Sequence, residues 1–218
     1  MADARSTADS DAPRAAARPE GVHARRTRIR RGEILDAASR TFATKGFHKA
    51  SLQEIAAAAG ITTAGLLHHF GSKDQLLTAL LDHRDASEVA EGGDSDRPHG
   101  KAFLDHLVAT ADRNAGRPGI TQLYAVLSAE GVTDEHPAQS YFRSRYAGLR
   151  EIIITELRAA QQAGDAADDL DPAEVATVII AVMDGLQIQW LYEPESVDMP
   201  RLLAKLITAI TRDGAWTA

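Results

Sequence analysis

Ser51, Glu54, Gly60, Thr62 and the run TAGLLHHF that ends at Phe70 are the residues whose types and spacing could do chemistry. That chemistry is recognition of a nucleic-acid duplex, with no bond made or broken. Ser51 is a good helix N-cap, and Glu54, three residues later, can close a capping box onto it. Ala56 sits where a larger side chain would push a neighbouring helix away. Gly60 falls at a turn, where a left-handed backbone is cheap only for glycine. Ile55, Ala59, Ile61 and Leu66 supply the apolar positions that lock two crossed helices together, and Thr62 can cap the second of them. This pattern is a helix-turn-helix, whose second helix enters the major groove. An ordinary αα-hairpin has the same spacing, so the spacing alone leaves both readings open.

Charge favours the first. The chain holds 24 Lys+Arg against 31 Asp+Glu, for a net charge of −7. Between Arg25 and Lys73, however, nine residues are basic and three acidic, which leaves +6 there and −13 elsewhere. A basic segment on an acidic body offers one face to polyanions and repels them elsewhere. The acidic remainder argues against a sequence-neutral architectural DNA binder, which should be basic throughout. An all-α enzyme is the other alternative, and no HExxH, GxSxG or glycine-rich phosphate loop occurs. Cysteine is absent, which removes thiolate metal sites, disulfides and thiol catalysis. His68 and His69 are helix neighbours pointing about 100° apart, so they do not chelate one ion well. We expect no metal, no cofactor and no enzymatic activity.

The elements that must hold this segment can be read on either side of it. In RRGEILDAASRTFATKGFHKA, Ile34, Ala38 and Phe42 mark one buried stripe of a helix that Gly46 ends, with Phe47 folding back on Phe42. Ser72 and Gln75 open a fourth helix, whose apolar face is Leu76, Leu77, Leu80 and Leu81. Three short helices and a connecting fourth make a module that is marginal alone.

With these pieces in order, the run from Ile34 to Leu77 resembles the N-terminal domain of the TetR (tetracycline-repressor) family of bacterial transcriptional regulators. The matching pieces are ILDAASRTFATKGF, SLQEIAAAAGI, LLHHF and GSKDQLL. The resemblance implies an all-α protein: a three-helix DNA-binding domain joined to a C-terminal helical domain for ligand binding and dimerisation. It implies that Ser51 and Thr62 give hydroxyls and backbone N–H groups to phosphates, and that Lys73 holds a phosphate as a point charge. Gln53, Thr63, Ala64 and Gly65 would lie over base edges; Gln53 could read adenine, and Thr63 or Ala64 could pack on a thymine methyl. Arg25 to Arg31, with Arg28 among them, could reach along the backbone or into a neighbouring minor groove. Where the family usually has a tyrosine, this chain has Leu67; the backbone contact is then absent or passes to His68.

The rest of the chain reads as helices at about 101–114, 119–130 and 138–163, separated by GRPG and EGVTDEHP. Asp171-Pro172-Ala173-Glu174 opens another, which runs to about Tyr192, and a last one spans about Pro200 to Thr211. The expected division is a disordered leader over 1–24, a DNA-binding domain over 25–72 and a regulatory domain over 73–218. The last two helices read as apolar on every side, yet Asp184, Gln187 and Gln189 make the first of them too short and polar for a membrane span. Two such helices against a second copy would form a four-helix bundle, through Val178, Val182, Leu186, Leu203, Ile207 and Ile210; a monomeric core is the alternative. The resemblance implies the homodimer, and a palindromic double-stranded DNA operator as its partner. It also implies an unidentified small-molecule effector, for which Phe103, Tyr124, Ser128, Tyr141, Tyr146, Met183 and Gln187 are candidate contacts. DGLQIQWL, at 184–191, resembles a C-terminal subtype of the family. A cytoplasmic repressor released by its effector is the function expected.

Overall fold

The computed structural model describes residues 21–92 and 98–211. α1 (Val22–Lys49) buries Ile34, Leu35, Ala38 and Phe42 along one stripe. It is broken at Gly46, whose φ of 70° and ψ of 176° lie outside the helical region and suit glycine alone. The break turns the Phe47 ring back to 5.9 Å from that of Phe42, as the spacing foretold, and one further turn follows it. α1 starts at Val22, so the basic cluster Arg25 to Arg31 lies within the helix. The expected leader lies, as far as residue 20, outside the described residues.

α2 (Leu52–Ala58) opens on the reciprocal capping box: Glu54 N–H donates to Ser51 Oγ at 3.1 Å, and Ser51 N–H to Glu54 Oε2 at 3.2 Å. The Lys45 ammonium also pairs with the Glu54 carboxylate and, with the Ser51 bond, holds its pKa below the usual carboxylate value. Gly60 takes φ 66° at the turn. α3 (Thr63–Phe70) is capped by Thr62, whose Oγ1 accepts from Gly65 N–H at 3.1 Å. α4 (Lys73–Gly92) follows, with Gln75 N–H donating to Ser72 Oγ at 3.1 Å.

α5 (Lys101–Ala115), α6 (Pro118–Glu130), α7 (Gln139–Gln162), α8 (Pro172–Tyr192) and α9 (Met199–Thr211) complete the chain. Buried Glu156 accepts from Gly100 N–H at 2.8 Å, so a carboxylate of α7 caps the start of α5. Asp171 caps α8 by accepting from Ala173 N–H at 2.8 Å.

Two apolar cores result. One joins α1–α4 to Leu123, Leu127, Ala138 and Phe142, so α6 and the start of α7 are packed into the head. The other holds α5, α7, α8 and α9. α6 therefore runs from the body into the head and lies along α1.

The last two helices differ from the sequence reading. α9 is apolar on one side only, with Leu203, Ile207 and Ile210 buried and Arg201, Lys205 and Thr208 exposed. Leu186, Leu203, Ile207 and Ile210 lie in the subunit's own core, at 8%, 0%, 2% and 1% exposure, and are not open to a partner. Val178 and Val182 are half-buried. α8 has the expected limits, but its 21 residues, of mean hydropathy 1.4, are sufficient in length and composition to cross a membrane, with 17% of its most apolar stretch buried. Its outward stripe is Ala181, Gly185, Ile188 and Tyr192, at helical spacing, with Ile188 46% and Tyr192 84% exposed.

Candidate nucleic-acid interface and effector cleft

The capping geometry leaves one end of α3 open to solvent. Ser51, Gln53, Thr62, Ala64 and His68 are exposed, and Thr63, Gly65 and Lys73 are half-buried. The cap hydroxyls of Ser51 and Thr62 each accept a backbone N–H, which leaves their own protons to donate to an outside acceptor such as a phosphate oxygen. A Cβ at Gly65 would lie 3.3 Å from Thr62 Oγ1, so a small residue there keeps the cap undisturbed. Leu67 is 37% exposed beside His68, on the surface that α3 would bring to a groove.

Two basic residues of the segment, Arg31 and Lys73, hold backbone carbonyls of the head. Arg31 Nη1 donates to His69 O at 3.1 Å, and its guanidinium lies 4.1 Å from the Phe70 ring centroid. It thus holds the C-terminal end of α3, where helix carbonyls attract a cation. Lys73 Nζ donates to His48 O at 3.4 Å and lies 4.4 Å over the Phe47 ring; burial lowers its pKa. Lys73 therefore braces the turn at the end of α1. Arg25, Arg26 and Arg28 stand exposed on the first turns of α1, and Arg30 pairs with Glu33 at 2.8 Å.

Head and body meet where α1 breaks. Phe47 N–H donates to Glu130 Oε2 at 2.6 Å. Buried His136 places its ring 5.1 Å from Phe47 and 5.3 Å from His48. Its Nδ1 accepts from Ala138 N–H at 3.1 Å, which assigns the proton of the neutral ring to Nε2, 3.8 Å from Glu130 Oε2. Burial lowers its pKa, opposed by Glu130. Sequence reading missed this junction, since Glu130 and His136 flank a break that looked like plain loop.

The candidate effector contacts separate into different places. Tyr141 lines a cleft of about 590 Å³ between α4 and α7, together with Asp82, Asp85, Arg145, Leu149 and Ile152. Tyr124 joins Tyr141 at Asp85, while Tyr146 donates to Asp184 at 2.7 Å. Burial raises the Tyr146 phenol to about 12 and pushes the Asp184 carboxyl above its usual value. Met183 and Gln187 line a cavity of about 10 Å³ beside Leu186 and Leu203, room for a single water. Phe103 is in the body core, and Ser128 bonds to the Ala125 carbonyl at 3.2 Å. These seven residues do not form one site. Asp85 and Arg145 were missed; Asp85 is a polar residue on a helix read by its leucines, and Arg145 lies on α7, read by its limits alone.

A capped recognition helix on a basic head, mounted on a larger helical body, defines a helix-turn-helix DNA-binding regulator. Comparison with known proteins agrees. The family described as "Bacterial regulatory proteins, tetR family" matches residues 34–80, and "BetI-type transcriptional repressor, C-terminal" matches residues 102–212. The chain belongs to the tetR family of bacterial regulatory proteins. It is 28% identical over 176 residues to the HTH-type transcriptional regulator TtgR of Pseudomonas putida, covering 78% of this chain and 83% of that one. It is 29% identical over 194 residues to the HTH-type transcriptional repressor KstR2 of Rhodococcus jostii, covering 85% and 90%. In fold it matches a TetR transcriptional regulator from Chloroflexus aurantiacus with a TM-score of 0.74, at 22% identity over 87% of this chain and 98% of that one.

Proposed function

We propose that the chain is a homodimeric repressor that reads a palindromic operator with α3 and releases it when a small molecule fills the cleft between α4 and α7. The observation that carries this reading is the exposed face of α3 and its cap, on a head whose apolar core continues into α6 and α7. Ser51, Thr62 and the exposed arginines, Arg28 included, hold phosphates; Gln53, Thr63, Ala64 and Gly65 face the bases; and His68 stands at the groove edge. Lys73 reaches phosphate only by exchanging its hold on the His48 carbonyl. The protein acts in the bacterial cytoplasm, where its DNA lies.

Dimerisation rests on the Ala181–Gly185–Ile188–Tyr192 stripe of α8. A Cβ at Gly185 would meet nothing, so a partner helix can approach closely there. A second copy covers this apolar face and sets two α3 helices one helical turn of DNA apart, about 34 Å. Asp184 and its bond to Tyr146 tie α8 into the body, which favours a partner subunit over lipid as the cover.

Selection from random duplexes, followed by sequencing, tests both halves of the reading. A palindromic consensus bound by a species of twice the chain mass supports it. Equal binding of all duplexes, or a monomer at micromolar concentration, sinks it.

A further inference from the structure

We infer that the effector carries a carboxylate, and that it acts by taking the place of the protein's own Asp85. This deepens the regulator reading above and rests on it. Asp85 lies on α4, the helix whose first turns are packed into the head. Its Oδ1 accepts from Tyr141 Oη at 2.7 Å, from Arg145 Nη1 at 3.2 Å and from Tyr124 Oη at 3.4 Å. Donors from α6 and α7 thus converge on one oxygen. The Arg145 guanidinium also lies 4.7 Å over the Tyr124 ring, which fixes its direction. Burial raises the Tyr141 phenol well above its ordinary range, so it remains a donor at any physiological pH.

A guanidinium and two phenols around one point form a receptor for a carboxylate oxygen. Asp85 itself fills it. The Asp85 side chain is 43% exposed, so it can leave the donors for water without crossing a packed core. The cleft opens beside it, about 590 Å³ in volume, with Leu81, Leu149 and Ile152 on its wall. That is room for a small apolar body behind an anionic head. Replacing one carboxylate by another keeps the charge at the donors unchanged, while Asp85 regains its hydration. A cationic or neutral head offers the three donors no anion in exchange and leaves Asp85 where it is.

The exchange has a regulatory consequence. Asp85 is a polar tie from α4 to α6 and α7. A ligand that binds only with Asp85 displaced favours the state in which α4, and with it the head, is released from that tie; differential affinity of this kind shifts the balance.

The test uses the full chain and its selected operator, with octanoate, octanamide and octylamine as probes of equal length. Octanoate should weaken operator binding by about tenfold, a usual size for allosteric coupling, with little effect from the other two. Asp85→Asn, which removes the internal competitor, should bind octanoate about threefold or more tightly than the parent by calorimetry. Arg145→Gln, checked for folding by circular dichroism, should lose octanoate binding. Release by octylamine or octanamide as strong as by octanoate overturns the inference, as does weaker octanoate binding by Asp85→Asn. Operator binding that survives all three probes, with no heat of octanoate binding, overturns it too and leaves the regulator reading standing. Absence of any preferred duplex would instead sink that reading.

Discussion

The carboxylate of Glu130, at the end of α6, accepts a hydrogen bond from Phe47 N–H at 2.6 Å, at the break in α1. A Cβ at Gly46 would overlap that carboxylate. Gly46 is required by its positive φ, and a Cβ there would also make Glu130 shift from its bond to Phe47 N–H. Gly46→Ala should destabilise the fold by about 1–3 kcal/mol in urea denaturation. Glu130→Ala leaves a shielded N–H unpaired and should cost about 1–3 kcal/mol, of which Glu130→Gln, still an acceptor, restores most. Equal losses in both Glu130 variants would show that the bond is not what matters.

Arg31 and Arg28 are about 4.5 Å apart along the helix axis, at about 1.5 Å of rise per residue, yet they should behave differently. Arg31→Ala removes the hold on the His69 carbonyl and the Phe70 ring, and should lower stability by about 1 kcal/mol with an unchanged salt slope of DNA binding. Arg28→Ala should reduce that slope by about 0.9. An exchange of these phenotypes would contradict the assignment.

His136 sets a pH dependence. Its folded pKa lies below the ordinary 6.5 because burial disfavours the imidazolium. Below that ordinary value the unfolded chain binds the proton first, so this residue's contribution is full above it and is lost as pH falls. His48, Glu130, Asp74 and Lys73 are the other ionisable groups around it. Melting temperatures between about pH 7 and pH 5 should fall less steeply for His136→Asn than for the parent. Parallel curves would exclude His136 as the source.

Ile188→Glu places a charge on the outward stripe of α8. In analytical ultracentrifugation it should give a monomer, and the loss of paired binding should weaken operator affinity by about 100-fold or more. Leu203→Ala, at a position inside the subunit's own core, should instead cost about 2–5 kcal/mol of stability. A dimer that survives Ile188→Glu would move the interface elsewhere.

Thr63→Ala should change the preference among operator variants by about 1 kcal/mol or more at one base pair of each half-site. A uniform loss over all sequences would count against base reading by Thr63. Lys73→Ala should weaken every sequence alike.

The local elements were legible because their signals are local. Ser51 with Glu54, Gly60, Thr62, Ser72 and Asp171-Pro172 each carry their cap or turn within four residues, and each helix start they implied is present. Apolar spacing of three and four residues likewise showed Ile34, Phe42, Leu76, Leu77, Leu80 and Leu81 as core. Where a side chain's role depended on a partner far along the chain, sequence was silent. Arg31 looked like one of five equivalent arginines until α3 was placed beside it, and Asp85 like a solvated acid until α6 and α7 brought three donors to it.

Order along the chain, helix limits, the charge of the head and the family likeness follow from the amino-acid sequence, because capping, periodicity and composition act over a few residues. Which face of α8 and α9 is inward, what ties α4 to the body and what closes the break at Gly46 were decided by the tertiary structure. Those are matters of packing between elements remote in sequence, where an apolar helix carries no mark of which side its neighbour will take.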